Sequence, residues 1–413
     1  MKVLVFASLY PNNICPQNGV FVKERMTQFA RQSGCDVQVI APVPYFPPLK
    51  ISSRWRFSQV QWHEVIEGLE VYHPRYAMIP KVGMALQGWL MFLSLLPTVK
   101  RLQRSFDFDV IDAHYVYPDG FAAVLLGHWL GKPVIVSARG SDINLFKDFP
   151  LIRRFLRYTL TKANGVIAVS QALKDAACSL GVSAEKVTVI PNGVDTLKFF
   201  PLPQAEARKR LGLPNRRVIL SVGRLCQNKG FDMLIRAFKM LLEKGYEPGL
   251  SLVLIGEGAF RKPLEEMIAS ARLQDHIQLI GEVPHAELAL WYSAADVFCL
   301  ASGREGWPNV LLESLACGTP VVATAVGGIP EILCSDAIGL LTERNERDIA
   351  EKLSLALHKP WRFDILIHYA QTYTWNQVAL SVFEVLTSVL PDRVSLPAQS
   401  TTCPKRPLTK SRS

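Results

Sequence analysis

The stretch from residue 218 to residue 230 sets a β-branched apolar run directly before Gly223-Arg224-Leu225 and Asn228-Lys229-Gly230, after which a helical pattern begins at Phe231. A glycine turn between strand and helix lets backbone N–H groups approach a ligand, and a helix N-terminus favours negative charge. Arg224 offers a fork of donors suited to two phosphate oxygens, and Lys229 offers a compact point charge. Together they describe a diphosphate site. Two cations on a loop more often belong to a solvated surface, so the position at a strand's carboxyl end carries the ligand reading.

A second constellation follows the apolar run 297–301 in Glu305-Gly306-Trp307-Pro308-Asn309-Val310-Leu311-Leu312-Glu313. Residues 309–316 read as a helix, which puts Glu313 about one turn inside it and Glu305 on the preceding loop. The two carboxylates need not touch, so one can accept from sugar hydroxyls and the other from ribose hydroxyls. Further on, Gly327-Gly328-Ile329-Pro330-Glu331 opens another helix and offers a second glycine pair to a ligand. Glu313 alone would be an ordinary helix carboxylate.

The elements that must position these groups alternate between short apolar runs and longer helical patterns. Residues 2–8, 37–43, 69–72, 110–114, 133–138, 165–170 and 187–191 read as strands, with helical stretches such as 19–32, 119–130 and 171–180 between them. Near-continuous apolar strands separated by helices indicate a parallel sheet covered on both faces. The pattern restarts at 218–222, 251–255, 277–280, 297–301, 320–323 and 339–342. The predicted fold is therefore α/β, with two doubly wound Rossmann-like domains, and the connection falls near 195–203. Facing each other, such domains make a central cleft at the carboxyl ends of both sheets. A chain of 413 residues exceeds what one core ordinarily supports, which agrees.

Composition narrows the class. Hydrophobic residues make up 49% and charged residues 20%, as in a folded globular protein. No segment reaches the roughly 18 uninterrupted apolar residues of a membrane span. The first residues resemble a weak signal peptide less than a first buried strand. The eight cysteines form no C-x-x-C pair and have no histidine at zinc spacing, so free thiols in a reducing compartment are expected. The net charge of +10 calls for a polyanionic partner. Between Glu70 and Asp107 there is no acidic residue, yet Arg75, Lys81, Lys100, Arg101 and Arg104 flank Trp89-Leu90-Met91-Phe92-Leu93. Arg153, Arg154, Arg157 and Lys162 lie beside Phe155 and Leu156 in another acid-free stretch. That pattern suits an interfacial helix on an anionic leaflet, or else a core helix with a solvated basic rim.

The ordered set Ser221-Val222-Gly223-Arg224-Leu225, Asn228-Lys229-Gly230, Glu305/Glu313 and Gly327-Gly328-Ile329-Pro330-Glu331 resembles the retaining glycosyltransferases of family 4. Pro191-Asn192-Gly193-Val194-Asp195 and the early strand ending at His114 belong to the same resemblance, which spans nearly the whole chain. It implies the two-domain GT-B fold. Residues 1–197 would bind the acceptor and 198–374 the nucleotide sugar. A helix at 375–390 would pack back toward the first domain, and a basic tail, 391–413, would be disordered. The resemblance also assigns roles. Arg224 and Lys229 would bind the donor diphosphate, Glu305 the sugar and Glu313 the ribose, with Gly223, Gly306, Trp307, Pro308, Asn309 and Val310 completing the donor site. His114 would reach the transferred sugar from the opposite domain, giving a catalytic set of His114, Glu305, Arg224 and Lys229. Gly19 would also bind the donor, from an N-terminal glycine loop near the reaction centre. Many relatives carry histidine where this chain has Arg139, and a permanent guanidinium there suggests a phosphate or carboxylate on the acceptor. The segment around it is similar to bacterial teichuronic acid and capsular polysaccharide transferases.

The implied activity is metal-independent transfer of a sugar, without a cofactor, from a UDP- or GDP-sugar to a lipid-linked or cell-surface polysaccharide acceptor such as lipopolysaccharide or capsule. It would take place in the cytoplasm against the inner face of the cytoplasmic membrane. A front-face displacement, with Arg224 and Lys229 stabilising the charge that grows on the diphosphate, is the expected mechanism. Asp107-Phe108-Asp109 is formally a metal-binding D-x-D but stands at the entry of its strand, the wrong end for a ligand. Gly256-Glu257-Gly258 lacks the third glycine of a dinucleotide fingerprint. The rival readings are a nucleotide-sugar epimerase of the same architecture and a non-catalytic polyanion binder. A nucleic-acid partner is not expected.

Overall fold

The computed structural model describes residues 1–48, 50, 53–78, 83–146, 148–214, 216–245 and 249–391. Lys81 and residues 392–413 of the basic tail lie outside the described residues. In chain order the first domain's strands are Lys2–Phe6 (β1), Asp36–Ile40 (β2), Val43–Pro44 (β3), His63–Ile66 (β4), Leu69–Tyr72 (β5), Arg75–Tyr76 (β6), Val110–His114 (β7), Val134–Ala138 (β8), Gly165–Ala168 (β9) and Val187–Val189 (β10). Eight of them form one sheet in the order β10-β9-β8-β7-β1-β2-β5-β4, and β3 pairs with β6 separately. Only the hairpin of β4 with β5 is antiparallel in the large sheet. Its edge strand β4 alternates exposed and half-buried residues as one-sided burial requires.

The second domain's strands are Arg217–Val222 (β11), Leu250–Ile255 (β12), Ile277–Gly281 (β13), Val297–Leu300 (β14), Val321–Thr324 (β15) and Gly339–Thr342 (β16). They pair in the order β13-β12-β11-β14-β15-β16 with every neighbour parallel. The order reverses between β11 and β14, so a crevice opens beyond their carboxyl ends. Gly223-Arg224 leaves β11 at that point, and the loop carrying Glu305 leaves β14 there. In the first sheet the reversal lies between β1 and β7, which pair directly.

The central strands of both sheets are buried on both faces, as their uninterrupted apolar runs require: β11 is buried from Val218 to Val222, and β7 and β8 along their full length. The last helix, Trp375–Ser388, starts with a capping box made by Thr374 and Gln377. Its Val378, Val382 and Phe383 pack with Val22, Met26 and Phe29 of the helix Val20–Ser33, so the chain's end rejoins the first domain's core. Among the described residues no helix is long and apolar enough to cross a membrane.

Candidate active site

A cavity of about 690 Å³ lies between the domains. From the second domain it is lined by Gly223, Arg224, Lys229, His285, Glu305, Gly306, Trp307, Pro308, Asn309, Val310 and Glu313, and from the first by Val20, Phe21, Glu24, Arg139 and Asn192. The donor-side residues expected from the second domain are thus brought together, whereas Gly19, expected from the first, is not among them. Lys229 Nζ lies 2.6 Å from Glu305 Oε1, so the ammonium is paired with the neighbouring loop's carboxylate. The two loops are tied to each other by Gly303 N donating to Asn228 O at 2.7 Å and Asn228 Nδ2 donating to Arg304 O at 3.1 Å. Arg224 is exposed at the cavity.

Glu313 sits in the helix Asn309–Ala316, buried. Its two oxygens are occupied: Tyr292 Oη donates to Oε2 at 3.0 Å, and His285 Nε2 lies 3.0 Å from Oε1. Burial alone would lower the pKa of His285, but the adjoining Glu313 carboxylate more than offsets this and raises it. His285, Tyr292 and Phe199, whose ring packs edge-on to His285, went unrecognised in the sequence. A lone histidine in a loop carries no spacing signal.

On the opposite wall His114 is fully buried, with Nε2 3.3 Å from Asp112 Oδ2 and Nδ1 accepting from Arg139 Nη2. It does not line the cavity. His114, expected to reach the transferred sugar, lies behind Arg139, which stands between it and the cleft. Burial holds the imidazole's pKa low, to about 4, with Asp112 opposing and Arg139 reinforcing that shift. Burial likewise acts to raise Asp112, but His114, Arg25 and Arg139 outweigh it and bring the carboxyl to about 2. Gly19 is also absent from the lining. It adopts φ 62° before the helix Val20–Ser33, where a Cβ would stand 2.0 Å from the Leu9 carbonyl oxygen, so it turns the chain and leaves Phe21 to face the cavity.

The second glycine pair has a different task from the ligand contact expected of it. A Cβ on Gly327 would meet Glu305 O at 1.9 Å, and one on Gly328 would meet Gly306 O at 2.3 Å and Ser170 Cβ at 2.9 Å. The pair therefore packs beneath the Glu305 loop and against the first domain. Glu331 reaches across the same seam and accepts from the free N–H groups of Gln171 and Ala172 at 2.7 and 2.9 Å. Gly140 and Gly306 touch where the walls meet, and Asn192 Nδ2 donates to Asn309 Oδ1 at 3.0 Å. Asp107-Phe108-Asp109 lies far from all this: Asp109 accepts from Lys2 N at 2.8 Å at the entry to the sheet. Among the described residues no group of three or more His, Cys, Asp or Glu is arranged to hold a metal ion.

Comparison with known proteins agrees with this arrangement. The family model for Glycosyltransferase Family 4 matches residues 20–198, and that for Glycosyl transferases group 1 matches 203–373. The chain is 30% identical over 375 residues to the putative teichuronic acid biosynthesis glycosyltransferase TuaC of Bacillus subtilis (strain 168), covering 88% of this chain and 92% of that protein. Among solved structures, the sucrose-phosphate synthase of Thermosynechococcus elongatus superposes with a TM-score of 0.77 at 20% identity, covering 94% of this chain and 98% of the other. The Anabaena protein HepE in complex with UDP superposes at 0.72 with 19% identity, covering 94% and 99%. These structures share the two-domain GT-B fold.

Proposed function

The chain belongs to glycosyltransferase family 4, and from that premise we propose that it is a metal-independent, retaining transferase. The proposed reaction moves a sugar from a UDP- or GDP-sugar to a lipid-linked or cell-surface polysaccharide acceptor. The observation that carries this reading is the joining of Arg224, Lys229, Glu305 and Glu313 in one cavity at the strand reversal of the second sheet. The first domain's wall faces them. A diphosphate seated on Arg224 and Lys229 would draw the ammonium away from Glu305 and free that carboxylate for sugar hydroxyls. Glu313, already oriented by Tyr292 and His285, would take the ribose.

In the proposed step the acceptor oxygen attacks the anomeric carbon from the face that the leaving phosphate departs. The phosphate oxygen takes the acceptor's proton, while Arg224 and Lys229 stabilise the charge left on the diphosphate. His114 takes no part in this step. Contact of the two walls would exclude water from the reaction.

The reading also puts the enzyme at the cytoplasmic face of an anionic membrane. Support comes from the helix Gln87–Phe106, which leaves Trp89 and Leu93 42% and 61% exposed above Lys100, Arg101 and Arg104. Phe121 carries Trp89 on one side and Tyr158 on the other, which joins this surface to the helix Pro150–Lys162. There Leu151 and Tyr158 are exposed, and Arg153, Arg154 and Arg157 edge a shallow basin. Phe155 and Leu156, expected on the surface, instead pack inward.

The test is binding of UDP, GDP, ADP and CMP to the purified protein, each with and without EDTA. One nucleoside diphosphate bound selectively and unaffected by EDTA is expected. Binding without selectivity, or binding abolished by EDTA, would overturn the metal-independent transferase.

A further inference from the structure

Charges buried in a protein are ordinarily matched by opposite charges. Arg139 breaks that rule at the cleft. It is 8% exposed, and among the described residues no carboxylate forms an ion pair with its guanidinium. Nη1 donates to Asn192 Oδ1 at 2.8 Å, Nη2 donates to His114 Nδ1, and Nε has no partner. Both acceptors are neutral. A ring nitrogen that accepts from a guanidinium must present its lone pair, so the His114 proton sits on Nε2, toward Asp112. Phe21 covers the guanidinium, its ring centre 5.5 Å from Cζ.

Among the described residues the carboxylates near that wall form no ion pair with Arg139. Asp112 lies behind His114 and feels both Arg139 and the buried Arg25, whose guanidinium nitrogens have no hydrogen-bond partner among the described residues. The Asp142 carboxylate accepts from the backbone N–H groups of Val116, Arg139 and Gly140. At the cavity edge, Glu24 and Asp195 lie 2.7 and 3.4 Å from Lys198 Nζ. Of the two buried guanidinium groups that have no ion pair among the described residues, Arg25 does not line the cavity and Arg139 does, and Gly140 beside it touches Gly306, next to the carboxylate assigned to the transferred sugar.

We infer that the sugar bound at the first domain's wall carries an anionic substituent, a carboxylate or a phosphate, that pairs with Arg139 beside the reaction centre. His114 is then a positioning residue, holding one arm of the guanidinium toward the cleft. The inference rests on the transferase reading for its claim that a sugar binds here. The donor's own phosphates are met on the opposite wall by Arg224 and Lys229, which leaves the acceptor as the source of this charge.

Binding of methyl β-D-glucuronide and of glucose 6-phosphate, each compared with methyl β-D-glucoside, tests it by saturation-transfer NMR without requiring turnover. The wild-type protein should prefer at least one of the anionic sugars to the neutral one by about tenfold or more. Arg139→Gln should erase the preference and Arg139→Lys retain part of it, while the double variant Arg224→Ala/Lys229→Ala should keep it. Equal binding of all three sugars by the wild type overturns the inference, as does a preference that survives Arg139→Gln. So does one lost only in the Arg224/Lys229 variant, because the anion would then sit in the phosphate site. Each of those results leaves the transferase intact, which stands or falls with nucleotide selectivity. Arg139→Gln should fold with a melting temperature no lower than wild type, because it removes an unmatched buried charge.

Discussion

Gly306→Ala tests whether contact between the two walls governs turnover. A Cβ at position 306 would stand 2.2 Å from the Arg139 carbonyl oxygen and 3.0 Å from the Gly140 Cα, whereas ordinary contact begins near 3.4 Å. Both neighbours are backbone, so no side chain can swing aside. The walls must separate by roughly 1 Å, a displacement that at reacting atoms costs on the order of a hundredfold in rate, or about 2.7 kcal/mol. The groups proposed to hold the nucleotide all belong to the second domain, so its affinity should stay within about threefold of wild type while kcat falls. Gly328→Ala provides an independent wedge outside the cavity. Its Cβ would press on Gly306 O and on Ser170 of the first domain, at a backbone φ of −79° that alanine adopts freely. Isothermal titration with the selected nucleoside diphosphate and initial-rate transfer assays would separate the effects. Turnover within threefold of wild type in both variants would refute the reasoning. An equal loss of affinity and rate would instead mean that the donor loop had been distorted.

Removing Arg224 or Lys229 by alanine should each lower kcat about a hundredfold, near 3 kcal/mol of transition-state stabilisation; a folded variant with wild-type turnover would remove that residue from the mechanism. Glu331→Ala strips the cap from the first turn of the helix Gln171–Ser179 across the seam, and calorimetry should show a loss of about 1 kcal/mol, roughly 2 °C in Tm. His285 holds its proton more tightly when folded, because Glu313 outweighs the effect of burial. Its stabilisation is therefore complete below an unfolded pKa of about 6.5 and is lost as pH rises through the higher folded value. The Tm gap between wild type and His285→Gln should accordingly be widest in acid and close in alkali, and a gap that widens with pH would contradict the ion pair. Trp89→Glu with Leu93→Glu should abolish flotation with vesicles containing anionic phospholipid; unchanged flotation would end the membrane assignment. Leu93 is the second site because its neighbour Phe92 is half-buried beside Trp89.

Much of the second domain's wall could be read in the sequence because its chemistry is local. Gly223, Arg224 and Lys229 fall within one strand-to-helix turn, and Glu305 and Glu313 within one loop and the helix after it, so chain spacing alone sets their relative places. The strands were legible for a similar reason, since burial on both faces leaves no polar alternation to confuse. The edge strand β4 was missed because exposure on one side and pairing at a hairpin gave it none of that signature.

The first domain's wall was misread because its outcome depends on strands that meet only in the sheet. His114 pairs in register with Ser137 of the neighbouring strand. Arg139 lies two residues beyond that register point, which carries it about 7 Å further toward the cleft. It is long enough to fold back over the histidine and bond it. Without the register, a histidine at a strand's carboxyl end looks like the group that faces the cleft; with it, the arginine lines the cleft and the histidine lies behind it, bonded to it. The glycines teach the same point from the other direction. Gly223 and Gly327 are equally glycines at the ends of strands, yet one faces the cavity and the other lies against Glu305's backbone. A glycine reports that something approaches closely, and only the pairing of distant segments decides whether that something is a ligand or the protein itself.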